Sequence, residues 1–199
     1  MKEIRPFFQL WFISRHSVKI HDMNMNYSPF TYCPGCGKPA AEFFGGKHYL
    51  CPECGFDYFQ NNAAAAGIIL HDDCSILVTE RNMEPGKGML GLPGGFIDPG
   101  ESAEEGALRE CFEETGIQLA VENLDFVASR PNVYTYKGIS YHTCDIIFEA
   151  YVKQLPLTVE PRDNEARRIF ALPFNRVNTS KFAFPSLREV VRIWLEANT

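Results

Sequence analysis

Two hydrophobic periods divide the chain. Residues 65–70 and 75–80, apolar throughout the first and at Ile76-Leu77-Val78 in the second, are too short for helices, are joined by the polar His71-Asp72-Asp73 and predict two buried or half-buried strands. Glycine and proline then punctuate residues 85–100, which reads as a loop with sharp backbone turns. Ser102 and Glu105 form an S-x-x-E box that opens a helix, and Gly116 stands where a helix closes in the left-handed conformation. At 100° per residue, Glu110, Glu113 and Glu114 share an arc of about a quarter turn, with Ala103, Gly106 and Ala107 earlier on the same stripe. Leu108 and Phe112, flanked by Cys111 and Thr115, are expected to pack on the sheet. Further strands are predicted near Phe126, over 143–152 and over 167–171. A last helix over 186–197 carries Leu187, Val190, Val191, Trp194 and Leu195 at helical spacing, with Ser186 as its N-cap. Residues 61–199 therefore read as one mixed α/β domain.

The preceding segment has a different chemistry. Four of the seven cysteines form Cys33-Pro34-Gly35-Cys36 and Cys51-Pro52-Glu53-Cys54, each followed by glycine, Gly37 and Gly55. This doubled C-P-x-C-G is the one internal repeat and marks a module over 31–60. Two residues between cysteines let a tight turn aim both sulfurs at one ion, so a closed four-thiolate Zn2+ site is expected, structural rather than catalytic. Iron in the same cage, a pair of disulfides and two redox-active units are the alternatives. So small a module needs the metal to fold. Its aromatics, Phe43, Phe44, Tyr49, Phe56, Tyr58 and Phe59, suit either its own small core or a protein interface. Cys74, Cys111 and Cys144 are scattered among apolar neighbours. Residues 1–30 read as an N-terminal extension. Its short apolar stretch 7–13 is interrupted by Gln9 and lacks a following small-residue cleavage site, so a cytoplasmic protein is expected.

Composition narrows the classes. With 45% hydrophobic and 22% charged residues the chain can bury a real core. A net charge of −6, with no Lys/Arg stripe, gives no general attraction to polyanions, so no strong nucleic-acid binding is expected. No run reaches the roughly 18 apolar residues of a membrane helix, and no membrane partner is expected.

Three carboxylates at i, i+3 and i+4 repel one another, and they sit toward the negative end of the helix dipole. A solvated acidic face is the ordinary explanation of an isolated E-x-x-E-E; here the glycine loop, Glu101 and Arg109 accompany it. Hard divalent cations with oxygen ligands would compensate the charge. The run Gly95-x5-Glu101-x7-Arg109-Glu110-Cys111-Phe112-Glu113-Glu114-Thr115-Gly116-Ile117 resembles the complete Nudix box, G-x5-E-x7-R-E-U-x-E-E-x-G-U, with every fixed position present. The resemblance implies a Nudix α/β/α sandwich with a mixed sheet, preceded by a zinc ribbon as in NADH pyrophosphatase-like members. It implies a hydrolase that cleaves a phosphoanhydride in a nucleoside diphosphate linked to a moiety X. Glu110, Glu113 and Glu114 would then hold Mg2+ or Mn2+, Arg109 would orient a glutamate, Glu101 would stabilise the loop–helix unit, and Gly95 would offer its carbonyl. Glu165 is a candidate further metal ligand or base, with an exposed loop glutamate as the equal alternative.

The substrate half is less legible. NADH pyrophosphatases carry S-Q-P-W-P-F-P-x-S, whereas this chain has Ser129-Arg130-Pro131-Asn132-Val133-Tyr134-Thr135-Tyr136, which keeps the serine, the first proline and an aromatic. NADH or NAD, ADP-ribose and dinucleoside polyphosphates all stay open as substrates. Tyr134 and Tyr136, with Tyr141, are candidates to stack on a base or simply to pack. Two other readings are a non-catalytic nucleotide sensor and a zinc-ribbon docking protein. A homodimer is the assembly that the resemblance implies.

Overall fold

The computed structural model describes residues 30–40, 47–137 and 139–198. Positions 1–29 of the expected extension, and the ribbon aromatics Phe43 and Phe44, lie outside the described residues. The chain parts into two compact units between Gln60 and Asn61.

In the first unit, β1 (His48–Leu50) pairs antiparallel with β2 (Asp57–Phe59). Its two Cys-x-x-Cys turns are one knuckle used twice. The Gly37 N–H donates to the Cys33 carbonyl and the Gly55 N–H to the Cys51 carbonyl, at 2.8 and 3.0 Å. Both glycines close their turns in the left-handed region, at φ 72° and 74°, which a side chain would strain. Tyr49 is buried with Cys33 and Cys51, Phe30 and Phe56 pack on them, and Phe59 is exposed. The aromatics thus divide between a small core and the surface.

The second unit is built on a mixed sheet. Its strands are β3 (Ala63–His71), β4 (Ser75–Arg81), β5 (Leu90–Gly91), β6 (Gly94–Phe96), β7 (Asp125–Tyr136), β8 (Ile139–Tyr151), β9 (Thr158–Val159) and β10 (Ala166–Pro173). The order is β7-β8-β3-β4-β10-β9, with β5 added to β4 and β6 to β3. β3 and β8 run parallel, and the other pairs antiparallel. Helices α1 (Ala103–Thr115) and α2 (Pro185–Asn198) cover opposite faces. Ile68 and Leu70 pack with Ala107 and Cys111 of α1, while Ile69 between them packs with Val190, Val191 and Trp194 of α2. Covering both faces makes successive residues equally buried at the centres of β3 and β4, which is why Ile68-Ile69-Leu70 and Ile76-Leu77-Val78 read as apolar runs rather than alternating ones. The expected α/β/α sandwich is the observed one.

The glycine-rich segment 85–100 is more than a loop. In register, β3 and β4 are partners only at His71 and Ile76, and the rest of their lengths diverge. β6 lies along the start of β3, and β5 along the end of β4, so the segment wedges into the fork. Side chains would forbid this approach: a Cβ on Gly91 would stand 2.7 Å from Thr79 Oγ1.

Two expectations are corrected. Phe112 does not pack on the sheet; it is 46% exposed, with the Arg162 guanidinium 5.1 Å from its ring centre. The core face of α1 is turned toward Ala107 and Cys111 instead. Ser186 is not an N-cap, because α2 already begins at Pro185, and its hydroxyl donates to Asp145 Oδ2 at 2.6 Å. Proline suits a first helical turn, where its missing N–H has no intrahelical partner to lose.

Candidate active site

Both ends of α1 are fixed locally. The Ser102 hydroxyl accepts from the Glu105 N–H at 3.2 Å, and the Glu105 carboxylate accepts from the Ser102 N–H at 2.8 Å. At the other end Gly116, at φ 74°, donates its N–H to the Phe112 carbonyl. Between them Arg109 uses every N–H of its guanidinium. It donates to Glu101 through Nε and Nη2 (2.7 and 3.0 Å), to Glu110 and Glu113 through Nη1 (2.9 and 3.1 Å), and to the Phe96 carbonyl (3.0 Å). Glu101 also accepts from the Asp98 N–H at 3.0 Å, so the loop and the helix are clamped through one arginine.

The three glutamates meet three fates. Glu113 is over half exposed, its side chain at 56%. Glu110 is half-buried, and burial pushes its carboxyl up although Arg109 pulls it down. Glu114 is buried, and among the described residues its carboxylate accepts one hydrogen bond, from the Gly94 N–H at 3.2 Å. Burial pushes its carboxyl up to about 8; the Gly94 bond opposes this, and the charges of Asp163, Glu110 and Glu165 add to it. Arg109 therefore relieves the repulsion expected along this stripe for Glu110 and Glu113, and leaves Glu114 without a cation. The backbone of β6 lies directly on these carboxyls, since a Cβ on Gly95 would stand 2.6 Å from the Glu110 carboxyl carbon. Oxygen donors of this hardness, one of them buried and uncompensated, fit a divalent cation such as Mg2+ or Mn2+. The three carboxylates are nonetheless held apart. Among the described residues, the group whose ligand atoms all lie within 4.8 Å of one another is the four cysteines.

A cavity of about 380 Å³ opens beside this edge of α1. Gly95, Glu110, Glu165, Tyr134 and Tyr136 all line it, so five sequence-predicted residues share one space. Arg109, Glu101 and Glu113 are tied to that wall through the guanidinium, and Glu114 through Gly94. Tyr141 is not among the lining residues. Glu165 is exposed and anchored by its backbone, its carbonyl accepting from the Asn82 N–H at 2.7 Å. Sequence reasoning missed Arg81, Asn132, Asp145 and Phe184, which also line the cavity. The alternation of Asn132, Tyr134 and Tyr136 along β7 was a usable signal, because every second residue of a strand shares a face.

In the first unit the cysteines pair across the two knuckles, with Cys33 and Cys54 sulfurs 3.7 Å apart and Cys36 and Cys51 sulfurs 3.8 Å apart. A tetrahedron with metal–sulfur bonds of ~2.3 Å has edges of ~3.8 Å, whereas a disulfide needs ~2.05 Å. All four are free cysteines, and the spacing fits one zinc. Burial pushes the Cys33 thiol up, but the Cys36 and Gly35 amides outweigh it and hold the thiol near 6.

Comparison with known proteins covers most of the second unit. A family model described as NUDIX domain matches residues 61–192. The chain is 29% identical over 119 residues to an NAD-capped RNA hydrolase of Schizosaccharomyces pombe, covering 52% of this chain and 31% of the relative. It is 43% identical over 70 residues to an ADP-ribose pyrophosphatase of Methanocaldococcus jannaschii, covering 35% and 41%. The matched segments thus span well under half of these relatives. Among solved structures, a NUDIX hydrolase from Nitrosomonas europaea superposes with a TM-score of 0.59 at 22% identity, covering 84% of this chain and 91% of that one. That likeness concerns the fold.

Proposed function

Since the chain belongs to the Nudix family, we propose that it is a hydrolase of a phosphoanhydride bond in a nucleoside diphosphate linked to a further group. The observation that carries this reading is the Gly94-Gly95 backbone laid against Glu110 and Glu114 at the wall of a cavity large enough for a nucleotide. Glu110, Glu113 and Glu114 are the residues that would hold Mg2+ or Mn2+. When bound, such ions neutralise phosphate oxygens and lower the pKa of a coordinated water.

The chain's own groups supply position. Arg109 fixes Glu110 and Glu113 by one nitrogen and secures the loop through Glu101, so a nucleotide meets carboxylates already oriented. Glu165 reaches the same cavity from the turn before β10, where it serves as a further ligand or as a base toward water. Arg81, also on the cavity wall, is a cation for a phosphate oxygen. Tyr134 and Tyr136 provide ring surface for a base. Relatives named NAD-capped RNA hydrolase and ADP-ribose pyrophosphatase support this substrate class, since NAD and ADP-ribose both contain a pyrophosphate linkage. The four cysteines hold one structural Zn2+ in this reading.

The test is a panel of NADH, NAD+, ADP-ribose, FAD, diadenosine polyphosphates and deoxynucleotides with Mg2+ or Mn2+. Cleavage of at least one is expected, and loss of it in Glu114→Gln and Glu113→Gln. Unchanged turnover in both variants would remove the carboxylates from the mechanism.

A further inference from the structure

The C-terminal end of α1 is an unfavourable place for the acids gathered around it. Glu110, Glu113 and Glu114 crowd the negative end of the helix dipole, and the last turn of the helix carries no basic residue. The turn that brings Glu165 to the cavity adds another acid, Asp163, and the charges of both raise the Glu114 carboxyl. Like charges on two segments push them apart, so helix and turn need a bond between them.

Arg162 supplies that bond. Its backbone N–H donates to the Glu114 carbonyl at 3.2 Å, and its Nη1 donates to the Phe112 carbonyl at 3.2 Å. The guanidinium lies over the Phe112 ring, 5.1 Å from its centre. The end of the helix makes room for it, since a Cβ on Gly116 would stand 3.2 Å from Arg162 Nη1. Among the described residues Arg162 makes no ion pair, although Asp163 follows it directly in the chain. Its charge is spent on the helix end.

The rest of the turn is fixed from the other side. Asn82, just past β4, donates through Nδ2 to the Asn164 carbonyl at 3.0 Å and through its N–H to the Glu165 carbonyl at 2.7 Å. Asp163 Oδ1 accepts from the Glu165 N–H at 2.8 Å. Residues 162–165 thus bridge the sheet and α1, with Arg162 as the anchor on the helix side. Glu165 is exposed, so its place relative to Glu110 and Glu114 depends on these two anchors.

We propose that Arg162 is a positioning residue for the hydrolysis: by latching the turn to the end of α1, it keeps Glu165 in register with the glutamates of the helix. The role rests on the hydrolase reading and on the part of Glu165 in it. Arg162 touches no reacting atom; it acts through Glu165.

A double-mutant cycle tests this, reading kcat with Mg2+ on the best-cleaved substrate of the panel above. Arg162→Met keeps the stem and removes the charge and the N–H groups, and it should lower kcat about tenfold. Arg162→Lys should recover part of that loss, because it restores the cation without the planar stack. Phe112→Leu, at an exposed position, should lower kcat about threefold. Glu165→Gln should lower it further than any of these, and in that background Arg162→Met should add less than about twofold. An arginine with a merely structural role would cost the same factor in both backgrounds. Wild-type kcat in Arg162→Met, losses that multiply in the double variant, or wild-type kcat in Glu165→Gln each overturns the proposal. Any of these results beside an inactive Glu114→Gln leaves the hydrolase reading standing and removes only the latch. Failure of the wild type to cleave any substrate of the panel removes that reading, and the latch falls with it.

Discussion

The four-cysteine knuckles and the glutamate edge of α1, the two cation sites of the proposed reading, arrange their acidic groups in opposite ways. In the knuckles, four sulfurs already lie within 4.8 Å of one another, and the turns that place them are closed by their own backbone bonds. Such a site is complete and leaves no position open for a substrate. At α1 the glutamates differ in burial and in partner: one Arg109 nitrogen bridges Glu110 and Glu113, while Glu114 is bound by the Gly94 N–H. That arrangement leaves room for a cation to be shared with a guest. In the proposed reading the closed ligand set is structural and the unfinished one catalytic.

The largest effect that tests this contrast is on turnover. Glu114→Gln should lower kcat by several orders of magnitude with an unchanged circular dichroism spectrum, since the amide keeps the shape and loses the charge. If activity persists, the two sites do not differ as described. Next, zinc content measured by mass spectrometry should be about one per chain and absent in Cys33→Ser, with increased proteolysis confined to the first unit. Brief EDTA treatment should sharpen the comparison further: activity is lost and returns with Mg2+, while the zinc stays bound, because hard oxygen-bound ions exchange faster than a closed four-sulfur site. Arg109→Lys should reduce kcat by about tenfold to a hundredfold, as a point charge cannot reproduce five directed N–H bonds.

The smallest effect lies outside both sites. Partial burial raises the Asp72 carboxyl, yet backbone N–H bonds from Leu155, Cys74 and Ser75 outweigh it and keep it below the usual carboxylate range. A depressed carboxyl stabilises the fold above its unfolded pKa of ~3.9 and loses that contribution as pH falls through its folded value. Asp72→Ala should thus destabilise by about 1–2 kcal/mol at pH 7 in urea unfolding, with the difference shrinking below about pH 4.

What was legible in the sequence was whatever short-range spacing encodes. The two knuckles, the capped ends of α1 and the Gly95–Ile117 pattern each depend on residues within a turn or a helix of one another. Their geometry follows from bonds between residues close in sequence: turn and cap bonds, and the Arg109–Glu101 pair. The apolar centres of β3 and β4, Ile68-Ile69-Leu70 and Ile76-Leu77-Val78, were equally readable, because burial on both faces makes successive residues apolar there. The rotation of α1 was not, and Phe112 was placed on the wrong side. The sheet and the wedge, rather than the helix's own composition, chose Ala107 and Cys111 as the buried face.

Family, fold class, the cysteine cage and the set of acidic residues at α1 could all be read from residue order alone. Only the tertiary structure decided that Ser186 serves Asp145 rather than a helix end, that Arg81 and Glu165 face one cavity, and that Arg162 bonds to the end of α1. The reason is physical. Those relations join residues tens of positions apart through strand register and helix docking, and the free energy that fixes them comes from packing the whole sheet between two helices.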